Sequence, residues 1–221
     1  MTAHNQTQWG ELAIQGLWKN NPALVQMLGL CPLLAVSNSF ATSFGLGITT
    51  VVVLTFSNLV ISLIRDLLDE ETRLPVQIMI IATFVTLADL SLQHWFFDLH
   101  QRIGLFVALI VTNCTLLGRA EAFAARNPVL ASTWDGLMMG MGFFIALITM
   151  GSIRELVGSG TLFAGLHTLL GVPDMTVTIA DGGFLLLVLP PGAFLTLGCL
   201  IALKNYIELK RERFDVVETS T

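Results

Sequence analysis

Apolar residues run along this chain in blocks of about twenty, parted by short polar breaks, a spacing that fits helices able to cross a bilayer. The pattern predicts helices at roughly 22–37, 40–64, 75–96, 103–118, 134–153 and 182–204. Ahead of them, TQWGELAIQGLWK (7–19) puts Trp9, Ala13 and Leu17 on one helical stripe, with Ile14 and Trp18 beside it. Tryptophans favour the headgroup region, so this segment is expected to lie flat on the membrane surface. Asn20-Asn21-Pro22 then reads as an N-cap followed by proline in a first helical turn. The first and fourth helices are short, and each holds a cysteine with a Leu-Leu pair behind it: Cys31-Pro32-Leu33-Leu34 and Cys114-Thr115-Leu116-Leu117. Pro32 disfavours helical geometry at Cys31. Gly118, Arg119 and Glu121 limit hydrocarbon burial after Cys114. Both helices are expected to break near the midplane, which is tolerated only where protein surrounds the opened backbone.

Composition agrees with the pattern. Of 221 residues, 54% are hydrophobic and 12% charged, and the mean hydropathy is +0.75. A soluble domain carries about 25% charged residues, so a water-facing surface is excluded for most of the chain. A net charge of −5 with no basic run before the C-terminus argues against nucleic-acid binding. The polar N-terminus lacks the pattern of a signal peptide. With six spans, Lys19, Arg65, Arg73, Arg119, Arg126, Lys204, Lys210, Arg211 and Arg213 fall on one side and only Arg102 and Arg154 on the other. That bias predicts cytoplasmic N- and C-termini in a bacterial inner membrane.

Residues 29–41, GLCPLLAVSNSFA, align with residues 112–124, TNCTLLGRAEAFA, at a constant offset of 83. Cys31 meets Cys114, Leu33-Leu34 meet Leu116-Leu117, and Phe40-Ala41 meet Phe123-Ala124. Arg65-Asp66-Leu67 matches Arg154-Glu155-Leu156 after a six-residue insertion. A repeat of three spans enters the membrane from opposite faces in its two copies. The expected fold is therefore an all-α membrane protein of six transmembrane helices, built as two inverted three-helix repeats. Its expected parts are a surface helix (1–21), a first repeat (22–102), a second repeat (103–205) and a cytoplasmic tail (206–221). Cys31 lies nine residues past Pro22, and Cys114 twelve past Arg102. At 1.5 Å per residue both reach depths of roughly 14–18 Å, near the middle of a core about 30 Å thick.

Two thiolates in hydrocarbon are costly unless a metal holds them, whereas buried neutral cysteine is common. Equivalent positions in a repeat favour one shared site for Cys31 and Cys114. An iron–sulfur cluster takes four thiolates, so two more would have to come from a second subunit. Cys199 has no counterpart in the repeat and is expected to serve packing.

The segments GLWKNNPALVQMLGLCPLLAVS (16–37), LIVTNCTLLGRAEAFAARNP (109–128), GSIRELVGSGTLF (151–163) and LPPGAF (189–194) are similar to one family of proteins. They resemble the membrane subunits of the Rnf and sodium-pumping NADH:quinone oxidoreductase complexes, and among these most closely the E-type subunits of Rnf. The resemblance implies that Cys31 and Cys114 ligate a [2Fe–2S] cluster shared with a homologous, oppositely oriented subunit of the A type. It implies electron transfer between ferredoxin, flavins and NAD, coupled to sodium or proton translocation, with flavins only in sister subunits. Cys199 is extra to the family pattern.

Several other residues invite a functional reading. Gly45, Gly47, Gly136, Gly140 and Gly142 sit in apolar helices with no strand before them, so close helix packing is expected rather than a nucleotide loop. Pro190-Pro191 predicts a kink inside the sixth helix. Asp89 is an intramembrane acid and hence a candidate for ion handling, near the periplasmic end of its helix. Arg154 and Glu155 are expected to cap a helix end and pair with neighbours. Two other classes remain open: a secondary transporter with 3+3 inverted repeats, and a scaffold. The transporter reading explains the repeat but leaves the cysteine pair without a role.

Overall fold

The computed structural model describes residues 10, 14–95, 97–159, 161–162, 177–178 and 189–219. Residues 7–9 and 11–13 of the predicted surface helix (7–19) lie outside them, but its end is seen. Gln15–Lys19 form a π-helical turn, with Gly16 pressed against the backbone of Met138.

Among the described residues, helices follow one another as α1 (Leu30–Val36), α2 (Phe40–Ile64), α3 (Arg73–Trp95), α4 (Phe97–Val107), α5 (Cys114–Arg119), α6 (Val129–Ser159) and α7 (Pro190–Thr219). A short antiparallel pair joins β1 (Thr161–Leu162) to β2 (Val177–Thr178), with Thr161 opposite Thr178. Among the described residues, five stretches are long and apolar enough to cross a membrane: Phe40–Leu67, Arg73–Trp95, Ile103–Ala124, Val129–Ser159 and Pro190–Lys210. The segment predicted as a first span, 22–37, is not among them. Its helix α1 has seven residues and rises about 10 Å.

α2 and α6 form the central pair. Their contact is lined with small residues, as the glycine pattern predicts. A Cβ on Gly140 would lie 3.1 Å from Val51 Cα, and one on Gly136 would lie 3.2 Å from Leu54 O. Gly47 abuts the Phe144 ring and Gly151 the Ser43 side chain. Close approach of this kind substitutes van der Waals contact for the hydrophobic drive that lipid removes. A second apolar cluster joins α1 to α6 and α7 through Leu33, Phe143, Leu147, Met150, Ala193 and Leu197.

Two expectations need correction. Pro190 and Pro191 open α7 rather than kink it, because a first-turn proline gives up only N–H groups that have no intrahelical partner. The breaks beside the cysteines come before them, not after. Pro32 falls in the first turn of α1, where its missing N–H is harmless.

Candidate functional site

The approach to Cys31 is built by Asn21. Its Oδ1 accepts from Ala23 N (3.0 Å) and Leu24 N (3.2 Å), and its Nδ2 donates to Gly142 O (3.0 Å) and Leu17 O (3.2 Å). The predicted cap therefore exists, but it closes a single turn tied to α6. Met27 (φ 53°) and Gly29 (φ 75°) then reverse the chain in left-handed geometry. α1 starts immediately afterwards, with Cys31 in its first turn.

The second cysteine has a parallel setting. After α4 the backbone tightens into a 3₁₀ turn at Ala108–Ile110 and opens at 111–113. Asn113 caps α5, its side chain accepting from Thr115 N at 3.0 Å. Cys114 is the first residue of α5 and the twelfth of the 22 in its candidate span, so it stands near that span's middle.

The two segments touch. A Cβ on Gly29 would lie 2.6 Å from Thr115 Oγ1 and 3.0 Å from Asn113 Oδ1. A Cβ on Gly118 would lie 3.5 Å from Leu28 Cδ2. Hence the segment that carries Cys31, two residues past Gly29, adjoins the one that carries Cys114. Both cysteines are exposed, while Pro32 and Leu33 beside one, and Asn113, Thr115 and Leu116 beside the other, are buried. Asn113 Nδ2 and Thr115 Oγ1 are buried with no hydrogen-bond partner, and each such group costs about 1–3 kcal/mol.

This donor set fits half of a cluster site. It offers two accessible thiols on adjoining backbone breaks, flanked by unused hydrogen-bond donors. Among the described residues no three His, Cys, Asp or Glu side chains gather as a ligand group.

The other expectations fare unevenly. Cys199 is exposed on α7, in a groove with Ile153, Leu195, Thr196, Leu200 and Leu203, so it is not packed in the core as predicted. Asp89 Oδ1 lies 3.0 Å from His100 Nε2. Arg154 and Glu155 do pair with neighbours: Glu155 Oε2 accepts from Phe40 N at 2.6 Å, at the start of α2. Arg154 donates to Ser37 Oγ (2.8 Å) and to the carbonyls of Leu34 and Leu189 (both 3.4 Å).

One buried ion pair escapes the sequence reading. Arg119 meets Asp135 through two hydrogen bonds, Nε to Oδ2 at 3.0 Å and Nη2 to Oδ1, and its guanidinium lies 5.1 Å from the Phe123 ring centre. Asp135 is 2% exposed. A signal for it exists, since Asp135 is an acid inside an apolar run, the same ground that marks Asp89.

Comparison with known proteins gives one consistent answer. The family model described as "Rnf-Nqr subunit, membrane protein" matches residues 9–201. A protein of Shewanella oneidensis, named as the E-type component of an ion-translocating oxidoreductase complex, is 52% identical over 212 residues, covering 94% of this chain and 91% of its own. Its namesake in Pseudoalteromonas atlantica is 51% identical over 210 residues, covering 93% and 90%. The one in Haemophilus influenzae is 50% identical over 204 residues, covering 90% and 87%. By both the family match and these near-full-length identities, the chain belongs to the Rnf-Nqr family of membrane subunits.

Proposed function

We propose that this chain is the E-type integral membrane component of an ion-translocating oxidoreductase complex. In this reading it carries electrons through the bilayer at an iron–sulfur cluster held by Cys31 and Cys114. The observation that carries the proposal is the exposure of both thiols on adjoining backbone breaks whose flanking side chains are buried. In a membrane such thiols face either lipid or another subunit, and a cluster needs two further ligands. A homologous A-type subunit of opposite orientation supplies the second pair. The bound [2Fe–2S] group supplies one-electron carriage. The chain itself contributes two thiolates and a left-handed Gly29 that lets the two segments meet, with Leu33 and Leu116 anchoring the two short helices in the core behind them.

The complex moves electrons between ferredoxin and NAD by way of flavins in sister subunits, coupled to sodium or proton translocation. The chain sits in the inner membrane with both termini cytoplasmic, in keeping with its basic residues. Its architecture is an inverted repeat of residues 22–102 and 103–205. In support, a left-handed or extended break, a short helix and two long helices follow one another twice: α1, α2, α3 and then α5, α6, α7, with 7, 25 and 23 residues against 6, 31 and 30. In this scheme 22–37 is itself a broken span, the counterpart of the broken span at 103–124, giving six membrane crossings. No observation favours the transporter alternative, since Arg119 and Asp135 are engaged with each other.

The test is iron and acid-labile sulfide in the purified complex. Cys31→Ala and Cys114→Ala remove the share belonging to this site and abolish electron transfer, and Cys199→Ala leaves both near normal. Full iron in either of the first two variants overturns the assignment.

A further inference from the structure

α1 lacks the means to hold its own ends. It has seven residues, no side-chain cap at Gly29 and no basic residue in its last turn. α2, which follows it, has no acidic residue in its first turn. A helix is stabilised by a cation at its C-terminal end and by an anion at its N-terminal end. α6 supplies both from two consecutive residues. Arg154 donates to Leu34 O in the last turn of α1 at 3.4 Å, and to Ser37 Oγ just past it at 2.8 Å. Glu155 Oε2 accepts from Phe40 N at 2.6 Å, at the start of α2. Both side chains are buried. Arg154 also reaches Leu189 O, just ahead of α7.

α6 meets the other end of α1 as well. Phe143 abuts Gly29, and Leu147 and Met150 share an apolar cluster with Leu33. From Phe143 to Arg154, a rise of about 16 Å, α6 therefore runs beside α1 from its entry to its exit. α5 is secured differently. Asn113 caps it, Arg119 stands in its own last turn, and it runs on into a π-helical turn at Ala120–Ala124. The helix of Cys114 carries its own supports, and that of Cys31 borrows them from α6.

We propose that Arg154 is a positioning residue for Cys31: by fixing the C-terminal end of α1 it sets where the thiol at the other end stands. Its bearing on electron transfer rests on the cluster reading above. A seven-residue helix moves as one piece, so a shift at Leu34 and Ser37 is carried to Cys31 in the first turn. The effect is confined to one of the two thiols, because α5 has no such dependence on Arg154.

The test uses the full-length chain in detergent with a nitroxide spin label on one cysteine. One set carries Cys114→Ala and Cys199→Ala and is labelled at Cys31. The other carries Cys31→Ala and Cys199→Ala and is labelled at Cys114. Arg154→Met is expected to narrow the EPR line at Cys31, as the label gains motion on the nanosecond scale, and to leave the line at Cys114 unchanged. Arg154→Lys returns a cation to the end of α1 and should restore part of the original breadth. Ser37→Ala removes the 2.8 Å bond and keeps the charge, so it gives a smaller narrowing at Cys31 alone. Ser62→Ala, which removes a 2.7 Å bond to Asn127 O at the far end of α2, should move neither line. Equal narrowing at both cysteines would make Arg154 a general support of the fold and overturn the inference, as would an unmoved line at Cys31. If Arg154→Met fails to accumulate, Ser37→Ala decides: narrowing at Cys31 alone upholds the inference, and an unaltered line overturns it. These spectra need no cluster. Failure of the cluster reading looks different, because iron in the complex would then survive Cys31→Ala while the label still answered to Arg154.

Discussion

Replacing Gly29 with alanine is expected to destabilise the seam between the two cysteine segments. Gly29 has φ 75°, and a side chain in the left-handed region costs roughly 1–2 kcal/mol. The new Cβ would also stand 2.6 Å from Thr115 Oγ1, 2.7 Å from Phe143 Cε2 and 3.0 Å from Asn113 Oδ1. All three neighbours are buried, and Asn113 is fixed by its bond to Thr115 N. None can swing into open space, so overpacking adds about 1–3 kcal/mol. The sum, about 2–5 kcal/mol, corresponds to a fall in Tm of roughly 4–20 °C at the entropy of a chain this long. The assay is thermal unfolding of the purified protein in detergent, followed by tryptophan fluorescence, with Gly198→Ala as control because nothing lies within 4 Å of its Cβ position. A Gly29→Ala protein melting with the wild type would refute both the left-handed cap and the apposition of the two segments.

Further outcomes follow from the ion pairs and the termini. Asp135→Leu alone leaves Arg119 buried without its partner and is expected to cost about 3–5 kcal/mol, whereas Arg119→Met with Asp135→Leu should recover much of that. A double variant no more stable than Asp135→Leu, by the same melting assay, would show that the two do not act as a pair. Glu155→Gln weakens a charged acceptor at the first turn of α2, and a loss of about 0.5–2 kcal/mol is expected. An unchanged Tm would deny Glu155 that role. A reporter active only in the periplasm, fused after Thr221, should stay silent, and a strong signal would invert the topology.

The long helices are legible in the sequence because crossing hydrocarbon demands length and apolarity, which α2, α3, α6 and most of α7 carry openly. The cysteine pair is legible because thiols are rare and stand at one offset inside a matching run. What hydropathy does not resolve is the fine structure of the short segments. A window of about twenty residues blends α4, the opening at 111–113 and α5 into one apolar stretch. It likewise extends seven-residue α1 back to Pro22. The prolines mislead for a related reason. Pro32 and Pro190 look like interruptions of helices already under way, yet both stand in first turns. Asp135 is inconspicuous because the run VLASTWDGLMMG is apolar on average, and its partner Arg119 reads only as a limit on burial. Pairing across sixteen residues is a tertiary fact with no local signature.

Synthesis runs from the N-terminus, so Cys31 leaves the ribosome well before Cys114. Local contacts such as Thr42 Oγ1 to Val36 O hold it only in part. Seven residues are too few for a helix to persist alone, and the long-range contacts that seat α1 arrive late. Asn113, Thr115 and Phe143 close on Gly29, Arg154 binds Ser37 and Leu34, and Ala193 and Leu197 complete the apolar cluster around Leu33. The thiol made first is thus among the last to be held in place. Under the proposed cluster reading, no organised pair of thiols exists to receive a metal until α7 has entered the membrane, and loading the site is an event in the life of a finished protein rather than of a growing one.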